Sequence, residues 1–214
     1  MQGVGSTVRI ECFAATCTQQ GRTLNEDAFL IGRGERPFAA LCDGTGNVEQ
    51  AARRVLRLFE RLLNESTPER IAEAGTWTRW VKLLDSALLG GAQSTFLAVT
   101  FAANEAVGVA VGDSRAYLIN REGQCRIVNQ GASKHLLGSG QAHPFLIRLT
   151  LSAGDIVLLL SGGAWTPLSL HLLQKTVVSA ALKRFSEMPA AVLDAAGPTG
   201  KADDMTAVAV RLVR

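Results

Sequence analysis

The sequence predicts an α+β fold built on mostly antiparallel sheets, and two observations carry that expectation. Strand-like segments are segregated from helical ones along the chain, in the order strands, helices, strands; a doubly wound parallel sheet would alternate them. From Thr95 to Leu160 the strand signals recur at spacings of about 8 to 12 residues with Gly or Asp turns between them, the pattern of antiparallel strands. A chain of 214 residues suits one domain over 1–214 and can bury a core without staples.

The elements follow in order. Residues 7–14 alternate, with Val8, Ile10, Cys12 and Ala14 on one face, and read as a strand. Residues 28–31 and 38–42 are short apolar runs bounded by Gly, Pro and acidic residues, also strand-like. Residues 48–63 are helical: Val48, Ala52, Val55, Phe59 and Leu62 form an apolar stripe, with Asn47 as the cap. Arg53, Arg57 and Arg61 line another face of that helix, which we read as solvated; a docking site for an acidic partner is the alternative. A second helix opens on Thr67-Pro68, a cap and a first-turn proline, and runs to about Leu89 with a break near Gly75. Strands are predicted over 95–102, 106–111, 115–120, 125–129, 146–151 and 156–160, helices over 168–185 and 190–196, and a closing strand over 206–213.

Composition excludes several classes of function. Hydrophobic residues at 47% and charged residues at 19% describe a globular chain. A net charge of +3 is too small a surplus to predict a nucleic-acid or anionic-membrane partner. The apolar run 156–160 is far short of the roughly 20 residues a bilayer needs. The amino end lacks the basic and apolar regions of a signal peptide, so a cytoplasmic address is expected. Cys12, Cys17, Cys42 and Cys125 form no C-x-x-C pair; Cys12, Cys42 and Cys125 lie in apolar strand-like segments and read as reduced core residues. His135, His143 and His171 have no metal-ligand spacing, and neither a G-x-S-x-G nor a P-loop is present.

The chemistry lies in acidic residues at strand ends. Asn25-Glu26-Asp27 precedes one strand, Asp43-Gly44-Thr45-Gly46 follows the next, Gly112-Asp113-Ser114 joins two, and Asp203-Asp204 introduces the last. Four acid-bearing segments at sheet ends can converge. Clustered carboxylates repel one another, and a divalent cation relieves the repulsion; hard oxygen ligands select Mg²⁺ or Mn²⁺. The glycine after Asp43 suggests a tight turn with an exposed carbonyl as a further ligand.

In this order the segments resemble the PPM-type metal-dependent protein phosphatases, the type 2C family, in their compact bacterial form. The likeness rests on Arg22-x-x-Asn25-Glu26-Asp27, Asp43-Gly44-x-Gly46, residues 91–95 entering a strand, Val111-Gly112-Asp113-Ser114-Arg115-Ala116-Tyr117, Gly154-Asp155, and Asp203-Asp204-Met205-Thr206. It implies an α-β-β-α sandwich with a reduced flap. It also implies two Mg²⁺ or Mn²⁺ ions that hydrolyse phosphoserine and phosphothreonine in proteins, with a bacterial Ser/Thr kinase or its target as partner. By the same resemblance Asp43 bridges the two metals and the Gly44 carbonyl ligates one. Glu26 holds that ion through its water shell, Asp27 stands behind it, Asp203 ligates the other ion, and Asp113 serves a looser third position. Arg22 grips the substrate phosphate.

Three departures bear on activity. Where the family reads Ser-Asp-Gly after the penultimate core strand, this chain reads Ser161-Gly162-Gly163, so Gly162 stands at a metal-ligand position and the second ion is expected to be weak. Thr45 stands where some members carry a histidine proposed as general acid. Residues 131–144 form only a short flap, which predicts an open site. The alternative to a weakened enzyme is a non-catalytic phosphatase-like protein that binds phosphoproteins or regulates a kinase.

Overall fold

The computed structural model describes residues 9–45, 50–197 and 203–213. Asn47 and Val48, the expected start of the first helix, and Gly46 lie outside them.

Eleven strands and six α-helices follow in the order β1 (Arg9–Cys17), β2 (Asp27–Gly32), β3 (Phe38–Thr45), α1 (Gln50–Asn64), α2 (Pro68–Ala72), α3 (Ala74–Leu88), β4 (Gln93–Ser94), β5 (Phe96–Ala102), β6 (Glu105–Val111), β7 (Arg115–Ile119), β8 (Cys125–Ile127), β9 (Phe145–Thr150), β10 (Ile156–Leu160), α4 (Gly162–Trp165), α5 (Leu170–Lys183), α6 (Met188–Ala196) and β11 (Met205–Val213) among the described residues. One sheet runs β1-β11-β10-β7-β8. The other runs β2-β3-β5-β6-β9, with β4 paired to the end of β3. Every pairing is antiparallel.

The period-2 alternation of each strand sorts its side chains between two apolar layers. In β3, Ala39 and Leu41 pack with Leu97, Val99, Leu159 and Val208 between the sheets. Phe38, Ala40 and Cys42, on the opposite face, pack with Val55 and Phe59 of α1 and Trp77, Trp80 and Val81 of α3. Across the other sheet, Leu158, Leu160, Ala207 and Ala209 meet Leu173 and Val177 of α5 and Val192 of α6. This is the expected α-β-β-α sandwich. Phe59 organises the helical side: its ring lies 5.2–6.1 Å from those of Phe38, Phe96, Trp77 and Trp80. Aromatic pairs at such distances contribute about 0.5–1.5 kcal/mol beyond their burial.

The predicted second helix is two helices. The break falls at Glu73, whose extended backbone (φ −85°, ψ 127°) ends α2 and caps α3. Thr67 caps α2 and Pro68 fills its first turn, as expected. All four cysteines are free; Cys12 and Cys42 are buried, Cys125 is only half-buried and Cys17 is exposed. No helix among the described residues is long and apolar enough to cross a membrane.

The antiparallel pairing carries the acidic segments to one end of the sandwich. Asp27 opens β2 directly opposite Asp43 in β3. Val111, at the end of β6, lies opposite Phe96, which continues from the Asp43 neighbour Thr95. Leu160 closes β10 opposite Ala207 near the start of β11.

Candidate active site

Asp43 is the centre of the arrangement. Strand β3 continues through Thr45, so Asp43-Gly44 is extended strand and not the tight turn expected of it. Gly44 is needed for another reason: a Cβ there would meet the Glu26 carbonyl at 2.8 Å, and the Gly44 N–H donates to that same oxygen. The Asp43 N–H donates to the Thr95 hydroxyl at 2.8 Å, which shares a 2.8 Å hydrogen bond with the Ser114 hydroxyl. The Thr95 N–H and the Ser94 hydroxyl both donate to the Asp43 carbonyl. The backbone beneath the carboxylate is therefore fixed on both sides.

A cleft of about 650 Å³ opens above it, lined by Asp43, Thr45, Thr95, Asp113, Lys134, Leu136, Gly162, Gly163, Thr166, Pro167 and Asp203. Three of the predicted acids thus share one cavity. Gly112 shapes the turn that carries Asp113; its φ of +85° is a conformation glycine adopts freely. Gly163 lets α4 pack down, because a Cβ there would lie 2.2 Å from the Asp204 carbonyl oxygen.

Gly162 lies at the departure point. Its N–H, in the first turn of α4, donates to Asp43 Oδ2 at 3.1 Å, and a Cβ on it would sit 3.2 Å from that oxygen. A side chain at 162 would therefore point at the Asp43 carboxylate.

Glu26 and Asp27 lie just behind. Neither oxygen of the buried Asp27 and not Glu26 Oε1 has a hydrogen-bond partner. Burial pushes the Asp27 carboxyl up to about 7; the hydroxyls of Ser161 and Thr206, which lie close without completing a hydrogen bond to it, pull it down in part, and Asp204 and Asp203 raise it further. Asp43 is pushed up to about 8 by burial and then by the Asp27 charge; the Gly162 N–H opposes this, and Asp203 and Asp113 add to it. Asp203 is raised by burial, with the Asp204 N–H opposing. Arg22 pairs with Glu26 Oε2 at 2.5 Å and lines a smaller depression with Gly21, Thr23 and Leu24.

Several residues of the site escape a reading of the sequence. The buried Asp204 accepts from the N–H groups of Gln19 and Glu26, at 2.7 and 2.6 Å, and so ties the β1–β2 loop to the entry of β11. Only its place beside Asp203 hints at that. Trp165 of α4 donates its indole N–H to the Asp113 carbonyl at 3.0 Å, and the Arg115 guanidinium stacks 3.3 Å from its ring centre. Thr95 belongs to the segment 91–95 that the resemblance marks, but nothing in the sequence shows that its hydroxyl supports Asp43; Lys134 carries no sequence signal for its position.

Whether a divalent cation suits these residues is tested by the orphaned oxygens. Three buried carboxylate oxygens without a partner, in a cluster that raises its own pKa values, form a hard-oxygen donor set whose repulsion a cation would relieve. The fit is better on the Glu26–Asp27 side of Asp43 than on the Asp203 side, where Gly162 supplies no carboxylate. As the side chains stand, no three Asp, Glu, His or Cys residues among the described residues form a group that could hold an ion.

No protein-family model matches the chain, and no curated protein sequence does. Solved structures do. A bacterial serine phosphatase variant superposes with a TM-score of 0.83 at 22% identity over 96% of this chain and 99% of that one. The Mycobacterium tuberculosis serine/threonine phosphatase PstP/Ppp gives 0.81 at 22% over 97% and 100%. The PstP catalytic domain in complex with two manganese ions gives 0.79 at 23% over 97% and 100%. The chain therefore has the fold of the PP2C-type serine/threonine phosphatases over nearly its whole length.

Proposed function

We propose that the protein is a metal-dependent phosphatase that hydrolyses phosphoserine and phosphothreonine in cytoplasmic proteins, acting on a Ser/Thr kinase or its targets. The observation that carries this reading is Asp43: a carboxyl pushed up to about 8, fixed from below by Thr95 and Ser94, and facing a cleft shared with Asp113 and Asp203. A chain that keeps such repulsion without a cation loses stability for nothing.

Glu26, Asp43, the Gly44 carbonyl and Asp203 would hold two Mg²⁺ or Mn²⁺ ions, with Asp27 behind them and Asp113 at a third, looser position. Bound there, the ions would supply a water acidified to near neutral pH and neutralise charge on the phosphoryl oxygens. Asp43 Oδ2 is aimed by the Gly162 N–H, which fixes the carboxylate plane before a ligand arrives. Asp27 reinforces the negative potential that draws cations to the cleft. Arg22 uses one N–H on Glu26, leaving the rest of its five-donor fork for the substrate phosphate. Thr45 has no proton acidic enough to give up near neutral pH, so the leaving serine or threonine oxygen takes its proton from solvent in the open cleft.

Phosphate release from a phosphothreonine peptide at millimolar Mn²⁺, abolished by EDTA, tests the proposal. A second reading, a phosphoprotein binder without turnover, is favoured by one observation: Gly162 offers an N–H to Asp43 where a fourth carboxylate would stand. Phosphopeptide binding that survives EDTA, with no phosphate released, selects that reading.

A further inference from the structure

We infer that Lys134 is a substrate anchor, supplying the cation that meets a phosphate monoester dianion as it enters the cleft. The inference rests on the phosphatase reading above and adds a further contact for the substrate phosphate to Arg22 and the metals. Of the described residues that line the cleft, Asp43, Asp113 and Asp203 are acidic and Lys134 is the single basic one. With metal bound the carboxylates at the base of the cleft would be offset, and a protein cation on the lining adds an attraction for the dianion that does not depend on the metals. Arg22 lines a separate, smaller depression and is paired with Glu26, whereas Lys134 lines the cleft itself and has no ion-pair partner among the described residues.

The chain around Lys134 is held at both ends. On one side the buried Asn129 donates to the Ser114 carbonyl at 2.8 Å and accepts from the Ala116 N–H at 2.9 Å, fastening the arch to the turn that carries Asp113. On the other, the fully buried Leu137 exchanges two backbone hydrogen bonds with Ser94, the residue whose hydroxyl holds the Asp43 carbonyl. Beyond it, the Asp85 carboxylate of α3 accepts from the N–H groups of Gly138, Gly140 and Ala142, at 2.6, 3.1 and 3.3 Å. The reduced flap is thus a pinned arch that spans from the Asp113 turn to the Asp43 support and presents Lys134 to the cavity between them. The ammonium is exposed, so its contribution is that of a partly screened ion pair, about fivefold in affinity at the upper end.

The test compares wild type with Lys134→Ala, Lys134→Arg and Lys134→Glu on a phosphothreonine peptide. In Mn²⁺, KM is expected to rise by up to about fivefold for Ala and further for Glu, to return with Arg, and kcat to stay within about twofold. Where wild type does not turn over, fluorescence anisotropy of the same peptide gives Kd in place of KM, with its unphosphorylated twin as control, and the same order is expected. Equal KM or Kd for wild type and Lys134→Glu overturns the role of Lys134 and leaves the phosphatase reading standing. A wild type that neither hydrolyses nor binds the phosphopeptide overturns both.

Discussion

Gly162→Asp restores the carboxylate that the family pattern places after β10, and its effect should change sign with metal. The new Cβ would lie 3.2 Å from Asp43 Oδ2, a contact that requires a shift of a few tenths of an ångström. The backbone itself is compatible, because Gly162 does not occupy the left-handed region. Two carboxylates about 5 Å apart repel by roughly 3 kcal/mol at an effective dielectric of about 20. Proton uptake relieves part of this, since Asp43 is already pushed up to about 8. At pH 8 in EDTA the variant should therefore be less stable than wild type by roughly 2 kcal/mol, or about 4–8 °C in Tm for a chain of this size. Metal reverses the balance. A site occupied at about one hundred times its dissociation constant adds about 2.7 kcal/mol of stability, enough to cancel the loss. Differential scanning fluorimetry of both proteins in EDTA and in a Mn²⁺ titration reads both arms. A variant as stable as wild type in EDTA, or one whose Mn²⁺-induced shift is no larger, would show that position 162 does not face the metals and that the reasoning about the cleft is wrong.

Other expectations follow from the same geometry. Asp43→Asn should abolish turnover yet raise the metal-free Tm at pH 8, because it removes a half-buried charge from the cluster; retained turnover would place the site elsewhere. Metal-free wild type should gain stability as pH falls from about 8 towards 3.8. Asp27 and Asp43 bind protons more tightly folded than unfolded, so the unfolded chain holds fewer protons across that window; a chemical-denaturation series that is flat or rises with pH contradicts this. Arg22→Ala should weaken phosphopeptide binding and leave Mn²⁺ affinity unchanged or tighter, since it frees Glu26; loss of Mn²⁺ binding with phosphopeptide affinity intact reverses the assignment. Asp85→Ala strips three N–H groups of their acceptor and should cost about 2 kcal/mol, with faster hydrogen exchange at Gly138, Gly140 and Ala142; unchanged exchange there would mean the arch is not held by Asp85.

The elements that could be read from the sequence are those whose patterning is local. The alternation in β1 and β11, the apolar run of β3 and the apolar stripe of α1 mark the core directly, and the acidic segments at strand ends mark the site end of the sandwich. What could not be read depends on contacts distant in the chain or on weak local preference. Helix α4 begins Gly-Gly, a poor helix former, and persists because Gly163 lets it seat against Asp204. Strand β4 is two residues long and exists only because β3 runs past Asp43 to meet it. The same extension turned the expected Asp43-Gly44 turn into strand, with glycine demanded by the approach of Glu26. Asp85 is an acid amid the apolar residues of α3, and its purpose appears only when the arch at 138–142 folds back over it. Lys134 is one lysine in a polar loop until Asn129 and Leu137 fix where that loop passes.

The activity proposed for the Asp43 cleft is hydrolysis of phosphomonoesters with divalent metal. Its most direct measurement is phosphate released from a phosphothreonine peptide by wild type, with Asp43→Asn as control, across a Mn²⁺ titration from EDTA to millimolar. Release should rise with Mn²⁺ in wild type and be absent in the variant and in EDTA. Folded wild type that releases no phosphate at saturating Mn²⁺, or equal release by Asp43→Asn, would contradict it.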